Sequence, residues 1–440
     1  MKMLMIRLTA LAALLLLLPG ALAARAEEGS ARPLPSILLF SQHTDLTRIN
    51  QNAQDRRTYP DSENTAVNSA VSDAVNTLAQ RMLALAPDQK TDAGDAYVDT
   101  GATVTVTGTK LASFFVLSHV LFDRRQIAVD FDALVFDMES GERITLEKIL
   151  TDEAEPYLKT FVNNALTAYF PAETPDAGKL DALCRDLMSA PFTLTPAYLV
   201  FHFRADALYP DKTTLMHARV PYSEILRWMT PFGKEQTDNS GYLTAAVTFD
   251  DGPGRGVTQK ILMTLREHCA VGTFFNLGKL LRTSEDAVAW EHDAGHSVQS
   301  HTYNHDYNSF SEDVMIHFRD RFALEQEAMI GVAPSYMRAP GGNDKLYCRY
   351  GVSMPIIRWN CLTGDAGAKV SIAECRSTFI YTLKEHSVIL MHNVRWSSVD
   401  VAQEVLSILR ERGYLMVTVD ELFALRGVSM ENNTVYFGNE

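Results

Sequence analysis

Hydrophobic and polar positions follow two different rhythms along this chain, and the rhythm changes near residue 240. Residues 64–84, NTAVNSAVSDAVNTLAQRMLA, place Val67, Val71, Val75, Leu78 and Met82 on one stripe, which predicts an amphipathic helix. Alternating runs at 102–108, 111–122 and 127–137 predict strands. Helical patterns return at 152–170 and around 178–188. The mixture predicts a smaller α+β region over roughly 35–228, with helices against antiparallel strands, as one or two subdomains. Its histidines, His43, His119, His202 and His217, have no acid or cysteine at ligand spacing and read as surface or hydrogen-bonded core residues.

Residues 229–241, MTPFGKEQTDNSG, are mostly polar, without apolar periodicity, and read as a linker. Beyond it, short apolar runs at 243–249, 271–277, 296–301, 335–339, 353–360, 387–392 and 413–419 are separated by helical segments such as QKILMTLREH and DVAQEVLSILRER. That order predicts an α/β domain of βα units over 242–428, its parallel sheet closing into a barrel. An open doubly wound sheet is the alternative. Both architectures put chemistry beyond the carboxyl ends of the strands.

Composition adds three constraints. The 440 residues are 46% hydrophobic and 21% charged, the profile of a folded protein long enough for two domains. A net charge of −14 without a basic stripe argues against nucleic acid as a partner. The N-terminus, MKMLMIRLTALAALLLLLPGALAARAEE, has a positive start, an apolar run from Leu8 to Leu18 and a small-residue site at Ala21-Leu22-Ala23. It reads as an export signal over 1–26, with a retained anchor as the alternative, and no later stretch is apolar enough to span a bilayer. Export permits disulfides, but the five cysteines (Cys184, Cys269, Cys348, Cys361 and Cys375) form no CxxC pair and leave the pairing open.

Candidate chemistry collects at the predicted strand ends. TFDDGPG closes the first strand with Asp250 and Asp251, HTYNH brings His301 and His305, and RAPGG brings Arg338. Asp365 lies beyond IIRWN, and His392 closes SVILM. Histidines four apart can share one side of a helical turn, and with a carboxylate they form a facial ligand set for one divalent ion. Adjacent acids in extended chain diverge, so Asp251 could bind the ion while Asp250 faces the substrate as general base. Arg338 would keep Asp250 ionised. His392, oriented by Asp365, would protonate a leaving amine. The pair His292 and His296 has the same spacing but precedes its strand, and reads as packing or surface. No GxSxG, GK[ST] loop or GxGxxG occurs, which leaves metal-assisted attack by water.

These residues resemble the polysaccharide deacetylases of the NodB-homology type, carbohydrate esterase family four. TFDDGPG, HTYNH, RAPGG, WNCLTGD and ILMH match its five motifs in order over 242–428. The resemblance implies a distorted (β/α) barrel and one divalent ion, usually zinc, with cobalt or another ion also used. It implies hydrolysis of N-acetyl groups on amino sugars or of O-acetyl groups on xylan. Carried over by position, Asp250 resembles the base, Asp251, His301 and His305 the ligands, His392 the acid, Asp365 its orienting group and Arg338 the partner of the base. Pro340 and Gly341 resemble the loop that donates an N–H to the oxyanion, and Trp359 and Leu390 the walls of the acetyl pocket. The chain departs from the pattern at Gly341, where many members have Tyr, and at Ala366, where many have Trp. TYPDSENTAVNSAV and FDMESGERITLEKIL more loosely resemble accessory domains of bacillary peptidoglycan deacetylases.

The expected function is therefore exported, metal-dependent N-deacetylation of bacterial cell-wall glycan. Chitin-like oligomers, poly-N-acetylglucosamine and acetylxylan are alternative substrates, and a non-catalytic wall-binding module is the alternative of another class.

Overall fold

The computed structural model describes residues 31–49, 53–86, 96–123, 125–305, 311–349, 352–367 and 369–438. The expected leader at 1–26 lies outside them.

The N-terminal half is organised around two sheets. The first has five strands in sequential order: β1 (Ser41–Arg48), β2 (Ala53–Asp61), β3 (Ala96–Thr107), β4 (Leu111–Phe122) and β5 (Arg125–Asp137). Helix α1 (Thr65–Leu83) starts at Asn64, whose side chain accepts from the amides of Ala66 and Val67. Its predicted stripe, Val67, Val71, Val75, Leu78 and Met82, is fully buried against the sheet. Burial of five such side chains, each worth about 1.5–3 kcal/mol, outweighs the modest helix propensity of a Val- and Asn-rich segment. One expectation fails here: β2 and β3 pair in parallel, because α1 is the crossover between them. Helices α2 (Glu155–Thr167) and α3 (Ala177–Leu183) cover a second, three-stranded antiparallel sheet of β6 (Phe192–Leu194), β7 (Tyr198–Arg204) and β8 (Leu215–Pro221).

The polar stretch at 229–241 differs from a linker in conformation. It contains helix α4 (Pro231–Thr237), capped by Thr230, with Gln236 and Asn239 buried against β3. A Cβ added at Gly233 would lie 2.2 Å from the carbonyl of Ile149. Polar groups satisfied across the tertiary structure carry no periodicity, which is why the segment looked structureless.

Beyond it lie β9 (Thr244–Gly252), α5 (Val257–Glu267), β10 (Thr273–Asn276), α6 (Glu285–Asp293), β11 (Ser297–Ser300) and α7 (Glu312–Ile330). Then come β12 (Ile356–Ile357), β13 (Cys361–Leu362), α8 (Ile372–Thr382), β14 (Ser387–His392), α9 (Trp396–Glu411), β15 (Leu415–Val417) and β16 (Val435–Tyr436). The parallel sheet runs β11-β10-β9-β14-β13, and β15 pairs with the first half of β9. Beyond β11 it continues only through single bridges from Met337 to Ser300 and to Ile356.

The barrel is thus distorted and open. Among the described residues no ladder joins β12, which pairs with β16, to β13, which pairs with β14. The strand expected at 335–339 is reduced to those bridges. Pro334 has no amide proton, and the amides of Ser335 and Tyr336 donate to the Gln299 side chain instead of a ladder.

The two halves share their cores. Val67, Phe114 and Val116 cluster with Ala246, Phe275 and Val388, and Phe115 and Leu117 with Val247 and Phe249. A buried ion pair joins Asp99 on β3 to Arg266 on α5. Among the described residues neither ring nitrogen of His119 beside it has a hydrogen-bond partner, contrary to the expectation of a surface or hydrogen-bonded residue. Its ring stands edge-on to Trp290 at 4.6 Å, and burial lowers its pKa to about 4, so it is neutral. His202 and His217 are buried and meet through their Nδ1 atoms at 2.8 Å. His292 and His296 are buried packing residues, hydrogen-bonded to the backbone of Leu215 and Gly272.

Candidate active site

The carboxyl ends of β9, β11, β13 and β14 converge on a cleft of about 300 Å³. Asp250, Asp251, His301 and His305 line one part of it, and Asp365 and His392 another. Gly341, Trp359 and Leu390 also line it; of the predicted site residues Pro340 is not on the cleft surface, and neither is Arg338. It lies fully buried behind Asp250.

The adjacent acids diverge through an irregularity rather than by simple strand alternation. Phe275 of β10 pairs with Asp250, but Asn276 pairs with Gly252, so Asp251 bulges from the ladder with φ +72°. A positive φ is costly for a residue with a Cβ, and such conformations cluster at functional sites. The glycines that follow are required by close approach. A Cβ at Gly252 would lie 2.2 Å from the Asn393 side chain, and one at Gly254 would lie 2.0 Å from the Asn393 carbonyl. TFDDGPG thus packs directly against the chain leaving β14.

His301 and His305 do converge, but not on a helical turn. His301 follows β11 directly, and residues 302–305 form an irregular turn with positive φ at Thr302 and His305. The amide of His305 donates to Thr302 Oγ1, which tightens the turn. The ring centroids lie 5.0 Å apart. Asp251 Oδ1 stands 3.4 Å from His301 Nε2 and 3.1 Å from His305 Nε2.

These groups fit a metal ion. Ligands about 2.0–2.1 Å from a tetrahedral ion lie roughly 3.3 Å from one another. Asp251 Oδ1 is buried and, among the described residues, has no hydrogen-bond partner, the condition of an atom left for an ion. Burial lowers the pKa of His301 despite the opposing Asp250 and Asp251, so the ring is neutral. Its Nδ1–H donates to the Arg338 carbonyl at 2.9 Å, which leaves the Nε2 lone pair facing Asp251. Burial tends to raise the pKa of Asp251, but His305 and His301 outweigh it and hold the group ionised. The three side chains form the one group among the described residues whose ligand atoms could share an ion.

Asp250 is held separately. Arg338 Nη1 donates to its Oδ1 at 2.8 Å and to Thr248 Oγ1 at 2.6 Å. Thr248 in turn donates to the Ile389 carbonyl. The guanidinium also packs over the ring of Phe275 at 4.1 Å. Asp250 Oδ2 remains 3.7 Å from His301 Nε2, too far for a hydrogen bond.

On the facing wall, Asp365 accepts twice from His392: Oδ2 from the backbone amide at 2.8 Å and Oδ1 from Nδ1 at 2.9 Å. Thr363 Oγ1 donates to the same Oδ1. Burial lowers the pKa of His392, but the bond to Asp365, with the charges of Asp365, Asp250 and Asp251, outweighs it and raises the pKa to about 8. Its imidazolium is therefore the favoured form at neutral pH. Gly341 adopts a left-handed conformation (φ 59°, ψ 13°) on the cleft wall.

Thr248, Thr363 and Arg395 were not singled out from the sequence. The position of Thr248, two residues before Asp250 on one face of a strand, carried a usable signal. Arg395, three residues past His392, carried none.

A family model of polysaccharide deacetylase matches residues 238–352. A peptidoglycan-N-acetylglucosamine deacetylase of Bacillus cereus is 30% identical over 188 residues, 39% of this chain and 67% of that protein. The peptidoglycan-N-acetylglucosamine deacetylase PgdA of Listeria monocytogenes is 27% identical over 335 residues, 72% of this chain and 68% of that protein. The structure of the peptidoglycan deacetylase PdaC of Bacillus subtilis superposes with a TM-score of 0.41 at 25% identity, covering 43% of this chain and 94% of that one. This chain belongs to the polysaccharide deacetylase family.

Proposed function

We propose that this chain is a metal-dependent peptidoglycan N-deacetylase that hydrolyses N-acetyl groups on the amino sugars of bacterial cell wall. One observation carries the reading. A carboxylate held by an arginine and an imidazole held by a carboxylate line one cleft, with an aspartate and two histidines at ligand distances in it.

Asp251, His301 and His305 would hold one divalent ion, which we assign as zinc. Bound there, it supplies Lewis-acid polarisation of the acyl carbonyl and a more acidic water. Asp250, hydrogen-bonded by Arg338, takes the proton of the water whose oxygen adds to the carbonyl carbon. Gly341 lines the cleft, and its backbone N–H would serve as the oxyanion donor. His392 then gives its proton to the amide nitrogen as the C–N bond breaks, so that acetate and a free amine leave. Asp365 keeps the Nδ1–H oriented, leaving Nε2 to carry that proton. Trp359 and Leu390 offer apolar walls for the acetyl methyl group.

We assign 242–428 to the deacetylase domain and 35–228 to an accessory region that orients it on the wall, divided at 229–241. An exported protein cleaved near residue 26 suits this substrate, and no helix among the described residues is long and apolar enough to cross a membrane. The test is acetate release from purified peptidoglycan, chitin oligomers and acetylxylan, with and without chelator. Release from peptidoglycan above the others, abolished by chelator, is expected. Release from chitin oligomers or acetylxylan alone would reassign the substrate, and release from none would leave the wall-binding alternative.

A further inference from the structure

Arg395 is the charged residue of the cleft that the proposed chemistry does not use. It is the N-cap of α9, with extended backbone (φ −129°, ψ 151°), and its side chain lines the cleft beside Val394 and Ala366. Each cleft carboxylate already faces a basic partner: Asp250 meets Arg338, Asp365 meets His392, and Asp251 meets the two histidines. Arg395 differs. Its Nη1 donates to the carbonyl of Gly367 at 2.8 Å, and among the described residues no carboxylate lies within ion-pair distance of it. The anchored guanidinium is exposed, permanently charged, and keeps further N–H donors for a ligand. Ala366, next to its anchor, puts no ring over it. In a chain of net charge −14, a cation held against a backbone oxygen at the cleft wall matches an anion arriving with the substrate.

We propose that Arg395 selects glycans carrying a carboxylate on or beside the sugar that is deacetylated. The reading rests on the deacetylase function above and narrows it from acetylated amino sugars in general to acidic ones. Two parts of peptidoglycan could supply the group. One is the lactyl ether of a muramic acid whose peptide has been removed, and the other is the stem peptide itself. A planar guanidinium with free N–H groups can accept a carboxylate by two parallel hydrogen bonds, whereas a neutral chitin oligomer offers only hydroxyls and amides. Val394 and Leu390 on the same cleft are apolar, and the imidazolium of His392 is already engaged by Asp365.

The test compares wild type, Arg395→Ala and Arg395→Lys, all zinc-loaded, on chitin oligomers, peptide-stripped glycan strands and intact strands. In Arg395→Ala the ratio of kcat/KM on a carboxylate-bearing glycan to that on chitin oligomers falls about tenfold, through KM, as expected for one exposed charge-assisted hydrogen-bonded pair. Arg395→Lys recovers part of the ratio. A fall confined to stripped strands assigns the lactyl carboxylate, one confined to intact strands assigns the stem, and either supports the proposal. An unchanged ratio, whether all substrates or none are affected, overturns it. Equilibrium binding of the same glycans is measured in parallel. If wild type hydrolyses nothing yet binds the acidic strands more tightly in an Arg395-dependent way, the deacetylase reading fails and the carboxylate site stands. Equal binding of acidic and neutral strands by wild type removes the carboxylate site independently of catalysis.

Discussion

Replacing Asp365 by Asn tests the facing wall of the cleft most sharply. In the folded protein Asp365 accepts both the amide and the Nδ1–H of His392, whose side chain is 17% exposed. Burial alone would depress the imidazolium, and Asp365 is the strongest of the groups that overcome it to give a pKa of about 8. The rise from the ordinary 6.5 is worth about 2 kcal/mol in favour of the charged form. Because the folded pKa is raised, that contribution to stability is fully present below about 6.5 and is lost as pH rises through about 8. As the proposed general acid His392 must be protonated, so activity should fall on the alkaline side with a midpoint near 8. An ion at Asp251 would offset the share of the rise that comes from that carboxylate, but not the share from Asp365. In Asp365→Asn burial is opposed only by the charges of Asp250 and Asp251, and the alkaline midpoint should move down by roughly one unit or more. Loss of orientation adds to this, for a total fall of about 10²–10⁴ in kcat. The assay is acetate release from peptidoglycan across a pH series spanning both limbs. A variant whose alkaline midpoint stays with that of wild type would refute the role of Asp365 in setting the His392 proton.

Further substitutions separate the remaining roles. His301→Ala and Asp251→Ala should lose bound metal by elemental analysis of dialysed protein, whereas Asp250→Asn should keep it and lose about 10²–10⁴ in kcat; full occupancy in His301→Ala would contradict the ligand set. Gly254→Ala places a Cβ 2.0 Å from the Asn393 carbonyl and should cost about 1–3 kcal/mol in chemical denaturation, with activity reduced as the cleft loop shifts. Asp99→Asn leaves the buried Arg266 guanidinium without its carboxylate and should lower stability by about 3–5 kcal/mol while the metal site stays intact. Unchanged denaturation of Asp99→Asn would mean that the two halves are not held together by that pair.

Much of the site was legible because its chemistry lies at strand ends, where apolar runs stop and acids or histidines begin. Asp250 and His392 each follow such a run, and the helix at 65–83 announced itself through one valine stripe. What escaped depends on contacts distant in the chain. The bulge that turns Asp251 out of its ladder is visible only as a register shift against β10. The convergence of His301 and His305 through a turn with positive φ mimics, in spacing alone, a helical arrangement. Thr248 and Thr363 matter because Arg338 and Asp365 reach them, and Gln299 replaces strand amides with a side chain. The parallel β2–β3 pair follows from the crossover through α1, and the loss of the strand expected at 335–339 from Pro334, not from hydrophobic pattern. The helix at 231–237 was hidden because its buried groups are polar.

The most direct measurement is acetate release from purified peptidoglycan by the chelated protein before and after zinc is restored, with free amines on the glycan counted in parallel. One amine per acetate, appearing only with the ion and absent in Asp250→Asn, is the predicted result. Fully metallated protein that frees no acetate from any acetylated glycan would contradict it.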